Sequence, residues 1–256
     1  MLDGQEFVSW CHRLSLSEQA QATIQRIRSC PPARRVGGGR NNVSGRFPSR
    51  KMGVTIQFES HRVELAVVYE MEHDPDVLEY YDQPSSIPLG YEARSGRRLA
   101  VLHTPDYFAI RRESAGWEEC KTEAELGKLA EKNPNRYCCR EGRWRCPPGE
   151  RHASGLGLYY RVRSSAETNW IYQRNLLFLE DYFRHDTAPR EKENVRALLW
   201  ARRGISLSDL LCQAQRNETS HDDIYQLIAG GEIYVDLHAM PLAEPQRVQK
   251  LPGPTG

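Results

Sequence analysis

The sequence predicts an α/β fold, a mixed sheet flanked by helices, followed by a small helical unit near the carboxyl terminus. Short β-rich segments alternate with helical stretches between residues 54 and 183, which is the pattern of a sheet covered by helices. After that region, short helical stretches are bounded by capping serines and by glycine. A length of 256 residues accommodates one large domain or two smaller ones.

The first part of the chain is predicted to be a helix followed by a connector. Ser15 and Glu18 have the spacing of a capping box, which predicts a helix that ends near Ser29, just before Pro31 and Pro32. Residues 33–52 are rich in Gly and Arg and contain almost nothing to bury. We therefore expect this segment to be a flexible basic connector.

The α/β region is predicted from periodicity and from proline and glycine punctuation. A buried helix is expected from about residue 60 to Asp74, because the residue before a proline avoids the helical region. A turn-rich, irregular segment is expected at 133–157. The remaining predicted elements are strands at 54–58, 77–84, 105–112, 116–123 and 158–164, a hairpin edge from residue 97, and helices at about 123–132 and 167–183.

The last third resembles a winged helix in the order of its elements. Three short helices, the second and third opened by Ser206 and Ser220, precede the alternating segment 232–240, which predicts a strand. The third helix contains two acidic residues and no Lys or Arg, so we expect it to dock protein rather than DNA. The predicted domains are 1–52 (helix and basic arm), 53–186 (α/β), 187–245 (winged-helix-like) and 246–256 (tail or linker).

Composition limits the classes of function. The chain is 39% hydrophobic, and no apolar run approaches the roughly 18 residues of a membrane-spanning helix. The amino terminus lacks the basic and apolar regions of a signal peptide, so we expect a cytoplasmic protein. Seven cysteines, an odd number without an export signal, are expected to be reduced thiols. No phosphate-binding loop or dinucleotide motif is present.

Positive charge is concentrated in one segment, which we call the basic arm. No Asp or Glu lies between Glu18 and Glu59, whereas this interval contains eight basic residues. Since the net charge is +1, the rest of the chain carries −7. This asymmetry is typical of a segment that contacts a polyanion, and a solvated tail has the same composition. The basic residues of the arm are Arg26, Arg28, Arg34, Arg35, Arg40, Arg46, Arg50 and Lys51.

Two short motifs contain the candidate chemistry, Thr104-Pro105-Asp106 and Glu119-Cys120-Lys121. Alternate side chains of a strand share a face, so Glu119 and Lys121 point the same way and Cys120 faces the opposite layer. Two carboxylates hold Mg²⁺ while the ion keeps waters and phosphate oxygens, and the ammonium orients or helps deprotonate water and offsets phosphate charge. The pattern predicts metal-assisted phosphodiester hydrolysis.

Glu64, on the predicted helix that precedes these motifs, is a further candidate for the same site. The ordinary interpretation of such a glutamate is a surface residue that contacts neighbours one helical turn away. Glu59 also precedes the helix and competes for the role.

In this order, the segments FESHRVELAVVYEMEHDPDVLEYYDQP, HTPDYFAI and WEECKTEAEL resemble the TnsA-type endonuclease subunit of heteromeric transposases. This family belongs to the PD-(D/E)xK nucleases, so the resemblance implies a restriction-endonuclease-like core. The likeness covers about residues 54–130, and more loosely the carboxy-terminal unit. It implies that Glu64, Asp106 and Glu119 bind Mg²⁺, with Mn²⁺ able to substitute, and that these residues and Lys121 are catalytic. Glu64 matches better than Glu59 because Leu65-Ala66 follow it.

The resemblance also implies a biological role. Such a subunit cleaves the 5′ (non-transferred) strands at transposon ends during cut-and-paste transposition in a prokaryotic cytoplasm. Its partners are the transposon-end DNA, the DDE transposase subunit TnsB and the AAA+ regulator TnsC. The basic arm would then contact DNA phosphates with little sequence preference. A catalytically silent DNA-binding or assembly subunit of the same fold, and a stand-alone restriction-type nuclease, are the alternatives.

A zinc site is the competing interpretation of the irregular segment. Cys138, Cys139, Cys146 and His152 are ligand types for zinc, but no CxxC pair is present and adjacent cysteines seldom ligate one tetrahedral ion. We therefore expect free thiols here.

Overall fold

The computed structural model describes residues 1–35, 44–61, 63–184, 189–201, 204–217 and 219–245. The chain forms two compact units, Met1–Thr168 and Asn169–Gly256. The first unit contains a mixed four-stranded sheet with helices packed on it, which confirms the predicted α/β class. Arg40 of the basic arm and the predicted tail at 246–256 lie outside the described residues.

The first unit alternates helices and strands along the chain. Its elements are α1 (Gly4–Arg13), α2 (Glu18–Ser29), β1 (Gly45–Pro48), β2 (Thr55–Phe58), α3 (Glu64–His73), β3 (Val77–Asp82), β4 (Ile87–Glu92), β5 (Arg98–His103), β6 (Tyr107–Arg111), β7 (Ala115–Lys121), α4 (Glu123–Lys132), β8 (Cys138–Arg140), β9 (Arg143–Arg145), α5 (Pro147–Ser154) and β10 (Tyr159–Ser164).

The central sheet has the strand order β10-β7-β6-β3. β10 runs parallel to β7, whereas β6 is antiparallel to both β7 and β3. Tyr107 pairs with Glu118 near one end of the β6–β7 pair. The chain just before β6 and the last residues of β7 therefore lie at the same end of the sheet, which is the geometry that the two candidate motifs require.

Both faces of the sheet are buried. Phe108 and Trp117 face a core formed with α1, α2, α4 and α5, whereas Tyr107 and Cys120 face a core formed with β1, β2 and α3. Strands with two buried faces are almost continuously apolar, as β6 is. Cys120 lies in the core opposite to that of Trp117, as the alternation along β7 predicted.

The amino-terminal predictions need two corrections. α2 is capped by Ser17, whose hydroxyl accepts a hydrogen bond from the Ala20 amide, and not by Ser15, which has a positive φ in the preceding turn. α1 was missed, although Asp3 and Glu6 form its capping box. The two helices are separate elements because Ser15 adopts a left-handed conformation between them.

Two segments expected to lack regular structure contain it. Part of the predicted flexible connector forms β1, which pairs with β2 and buries Phe47. The segment at 133–157, predicted as irregular, contains the β8–β9 hairpin and α5. α5 begins at Pro147, a residue favoured in the first helical turn because its missing N–H needs no partner there.

In the described part of the second unit, four helices pack around one apolar core. They are α6 (Trp170–Arg184), α7 (Lys192–Ala201), α8 (Leu207–Arg216) and α9 (His221–Ala229). The sequence predicts that α6 belongs to the first domain, with the boundary at 186/187. The observed boundary follows Thr168, because Leu179 of α6 belongs to the core of the second unit.

The predicted strand at 232–240 is absent, since the described residues there form turns and bends. Ile233 and Val235 are buried in the helical core, which accounts for the alternation that resembled a strand. Asn175 of α6 holds this segment by donating from Nδ2 to the carbonyl oxygens of Leu237 and Met240, each at 2.7 Å. The described residues thus give the three short helices α7 to α9 without the strand of a winged helix.

The acidic residues of α9 have partners within the second unit. Asp223 accepts hydrogen bonds from the amides of Arg190 and Glu191, and Asp222 accepts one from the Tyr182 hydroxyl. Their charge therefore helps to organise the unit. Among the described residues, no helix is both long and apolar enough to cross a membrane.

Arg28, which was expected to contact DNA, instead joins α2 to the sheet. Its Nε and Nη2 atoms donate to the two oxygens of Glu79, both at 2.9 Å, and Nη2 also donates to the Leu2 carbonyl oxygen. Glu79 is fully buried and further accepts from the Leu2 amide and the Tyr81 hydroxyl. This bidentate pair fixes the amino-terminal helices on β3.

We expect Arg28→Ala to lower the free energy of unfolding by about 3–5 kcal/mol, because it leaves a buried carboxylate without its cation. Arg26→Ala is the matched control, since Arg26 is exposed one half-turn away and should change the free energy by less than about 0.5 kcal/mol. Urea denaturation followed by tryptophan fluorescence measures both. Equal midpoints for the two variants would show that the pair does not stabilise the unit.

Candidate active site

The start of β6 and the end of β7 bring Asp106 and Lys121 together. The Cys120 amide donates to Asp106 Oδ2 at 2.7 Å, and Lys121 Nζ lies 3.4 Å from the same oxygen. Asp106 is almost completely buried. The aspartate is therefore fixed by the backbone of the strand that bears the lysine.

Glu64 reaches the same place from α3, of which it is the first residue. Its Oε2 atom accepts a hydrogen bond from the Glu59 amide at 2.8 Å, and only 6% of the residue is exposed. Glu64, Asp106 and Lys121 line one cleft of about 670 Å³. Glu64 is thus not an ordinary surface glutamate, and Glu59 lies at the cleft as its hydrogen-bond donor.

Glu119 has a different environment from the other two carboxylates. It is fully buried and does not line the cleft. Oε1 accepts from the Tyr137 hydroxyl at 2.8 Å, and Oε2 accepts from the Tyr160 hydroxyl at 2.6 Å. Lys121 Nζ lies 3.5 Å from Oε1. In this arrangement Glu119 contacts the lysine, and Glu64 and Asp106 are the candidate carboxylates that line the cleft.

His103 completes the environment of Glu119. Its Nε2 atom lies 3.3 Å from Glu119 Oε1 and 3.1 Å from the Tyr160 hydroxyl, while Arg136 Nη2 lies 3.1 Å from its Nδ1. Because a guanidinium only donates, Nδ1 accepts and the proton lies on Nε2, toward Glu119. Sequence reasoning missed His103, Tyr137 and Tyr160, and the only signal was that His103 precedes the Thr-Pro-Asp motif.

The pKa values of both candidate carboxylates that line the cleft, Glu64 and Asp106, are raised. Burial, and then the negative charge of Asp106, raise the pKa of Glu64 to about 7. Burial also raises the pKa of Asp106, although the Lys121 ammonium opposes this. A divalent cation between such groups would favour their charged forms. The two carboxylates therefore resist being charged together unless a positive charge lies beside them.

Lys121 and Glu119 are stabilised in their charged forms. Burial lowers the pKa of Lys121, but the charges of Asp106 and Glu119 outweigh it and raise the pKa above its ordinary value. Burial likewise raises the pKa of Glu119, but the His103 hydrogen bond and the Lys121 charge hold it well below its ordinary value. Lys121 thus keeps its proton and acts by its charge.

The donor set fits Mg²⁺ through two residues. In the described part of the chain, no three or more His, Cys, Asp or Glu side chains are grouped to hold a metal ion. Mg²⁺ binds through one or two protein carboxylates and keeps several waters, so Glu64 and Asp106 satisfy its requirement. Cys138, Cys139 and Cys146 form no disulfide, and of the three only Cys146 is buried.

The basic arm is divided between structural and exposed residues. Lys51 Nζ donates to the carbonyl oxygens of Met71 and Asp74, which close the carboxyl end of α3. Arg34 lines the cleft and donates to Gln83 and Glu59. Besides Arg34, the exposed arginines in the described part of the arm are Arg26, Arg35, Arg46 and Arg50. With Arg28 and Lys51 used by the fold, these four and Arg34 remain the candidates for phosphate contacts.

Neither models of known protein families nor curated proteins gave a match for this chain. The functional interpretation therefore depends on the residues of the cleft.

The two classes of carboxylate should differ in metal binding. Replacing a residue that only orients a metal ligand typically weakens metal binding by roughly 10–100-fold. We expect Asp106→Asn and Glu64→Gln to weaken Mn²⁺ binding by more than this range, and Glu119→Gln to stay within or below it. Isothermal titration calorimetry on the full chain measures this without DNA. If Glu119→Gln were as damaging as Asp106→Asn, Glu119 would be a direct ligand, as the resemblance implies.

Proposed function

We propose that this protein is a metal-dependent DNA endonuclease subunit of the TnsA type, which cleaves the 5′ strands at transposon ends. The observation that supports this most is the convergence of Glu64, Asp106 and Lys121 on one cleft, with Glu119 behind the lysine. These are the residues that the resemblance names, and they come from α3, the start of β6 and the end of β7.

The proposed chemistry is hydrolysis of a phosphodiester. Glu64 and Asp106 would hold Mg²⁺, or Mn²⁺ in its place, which supplies positive charge at the phosphate and lowers the pKa of a nearby water. Lys121, kept protonated by Asp106 and Glu119, offsets the charge that develops on the phosphate. Glu119 holds the Lys121 ammonium in place from the side away from the cleft, and the hydroxyls of Tyr137 and Tyr160 hold Glu119.

The proposed setting is a cytoplasmic transposase complex. TnsB, as the DDE transposase, would cut the opposite strands, and TnsC would regulate assembly. The exposed arginines in the described part of the basic arm would bind phosphates without reading sequence; they are Arg26, Arg34, Arg35, Arg46 and Arg50. The second unit would contact these protein partners.

Strand-specific cleavage tests the proposal. With TnsB, TnsC, transposon-end DNA and Mg²⁺ present, we expect Asp106→Ala and Lys121→Ala each to slow 5′-strand cleavage by about 100-fold or more, and to leave 3′-strand cleavage intact. Lys128→Ala is the matched control, because Lys128 is an exposed lysine on the adjacent helix α4 and should cleave like the wild type.

Other outcomes would support the alternatives. Unchanged 5′ cleavage in both variants would mean that the chain is a silent DNA-binding or assembly subunit. Metal-dependent cleavage of DNA by this chain alone, without either partner, would instead indicate a stand-alone nuclease.

A further inference from the structure

The β4–β5 hairpin projects from the edge of the cleft. Its strands pair from Ile87 with His103 at the base to Glu92 with Arg98 at the far end. At the base, the Ser86 and Thr104 hydroxyls are 2.7 Å apart, and Leu102, His103 and Thr104 line the cleft. Six-residue strands are about 20 Å long, so the turn of the hairpin lies about that far along the chain direction from the cleft.

One face of the hairpin is exposed along its length. Every second residue along each strand lies on this face and is exposed. Ile87 and Leu89 lie on the other face and are buried in the core that contains Phe108 and Trp117. Gly90 and Ala100 lie in the middle of the exposed face, and a Cβ added at Gly90 would meet nothing within 4 Å. Leu102 is 79% exposed at the end nearest the cleft. The residues of this face are Pro88, Gly90, Glu92, Arg98, Ala100 and Leu102.

Three arginines surround the turn of the hairpin. Arg94, Arg97 and Arg98 are exposed, and their side chains have no hydrogen bond or ion pair with any described residue. Glu92 lies opposite Arg98 on the exposed face, yet the two side chains form no ion pair. Arg111 in the sheet differs from these three arginines because it forms ion pairs with Asp74 and Glu118.

We propose that the β4–β5 hairpin binds the phosphodiester backbone of the DNA duplex beside the scissile bond, with Arg94, Arg97 and Arg98 on phosphates. The inference rests on the endonuclease function proposed above. The small residues Gly90 and Ala100 in the middle of the exposed face let a backbone approach closely, and the arginines supply the opposite charge. Because phosphates of one strand are about 3.4 Å apart along the helix axis, 20 Å corresponds to about six nucleotides from the cleavage site.

The experiment compares duplex binding with Ca²⁺ in place of Mg²⁺, using a fluorescent duplex of mixed sequence and the full chain at several salt concentrations. For the triple variant Arg94→Ala, Arg97→Ala and Arg98→Ala, we expect binding to weaken by about tenfold or more. The slope of log K against log salt should fall by about 0.9 for each phosphate that the variant no longer neutralises. Ethylation interference should lose its signal about six nucleotides from the cut.

Two controls separate charge from folding. Replacing the same arginines by lysine keeps the charge and should restore most of the affinity and of the slope. The double variant Arg13→Ala and Arg112→Ala removes arginines near the opposite end of the β6–β7 pair and should leave both quantities unchanged. Failure of the lysine variant to restore binding would overturn the phosphate role.

The remaining outcomes distinguish this inference from the function on which it rests. If the triple alanine variant binds DNA like the wild type and cleavage still requires Asp106, the hairpin proposal is wrong and the endonuclease stands. If its DNA binding is unchanged but it no longer binds the transposase subunit, the hairpin contacts an acidic protein surface instead. If the wild-type chain binds no duplex DNA, the hairpin proposal fails, and the strand-specific cleavage experiment with both partners decides the endonuclease function separately.

Discussion

Burial of charge beside the cleft is the constraint on which the site depends. Asp106, Glu119 and Lys121 are two carboxylates and one ammonium placed where water is largely excluded, so each charge needs a protein partner. The Cys120 amide serves Asp106, and the hydroxyls of Tyr137 and Tyr160 serve Glu119. The strand pairing, the turn after α4 and β10 must therefore all be in place for the site to exist.

The adjacent residue Glu118 shows the same constraint on the opposite face of β7. It is fully buried, and its oxygens accept from Arg111, Arg163 and the Tyr159 hydroxyl. Arg163 also pairs with Glu70 of α3, the helix that begins with Glu64. One strand thus presents consecutive glutamates to two separate networks, and the network around Glu118 connects the sheet to the helix that positions Glu64.

Local signals predicted much of the fold, and the site only in part. α4 has the predicted bounds, and its start is fixed by a capping box of Thr122 and Glu125, residues close together in the sequence. The segment around Ile233 and Val235 failed as a strand because its alternation reflects burial against helices. Tyr137 and Tyr160 lie 18 and 41 residues from Glu119, and no periodicity connects residues at such separations.

Charge counted along a sequence differs from charge that is free to bind a ligand. The basic arm attracts attention because acidic residues are absent from its interval, yet Arg28 and Lys51 find partners in Glu79 and in carbonyl groups far along the chain. Arg94, Arg97 and Arg98 do not stand out in the sequence, because the region around them contains acidic residues such as Glu92 and Asp106. Neither carboxylate pairs with these arginines, because Asp106 forms an ion pair with Lys121 and Glu92 lies opposite Arg98 without one. Pairing in three dimensions therefore removes Arg28 and Lys51 from the charge available to a ligand and leaves that of Arg94, Arg97 and Arg98 at the turn of the hairpin.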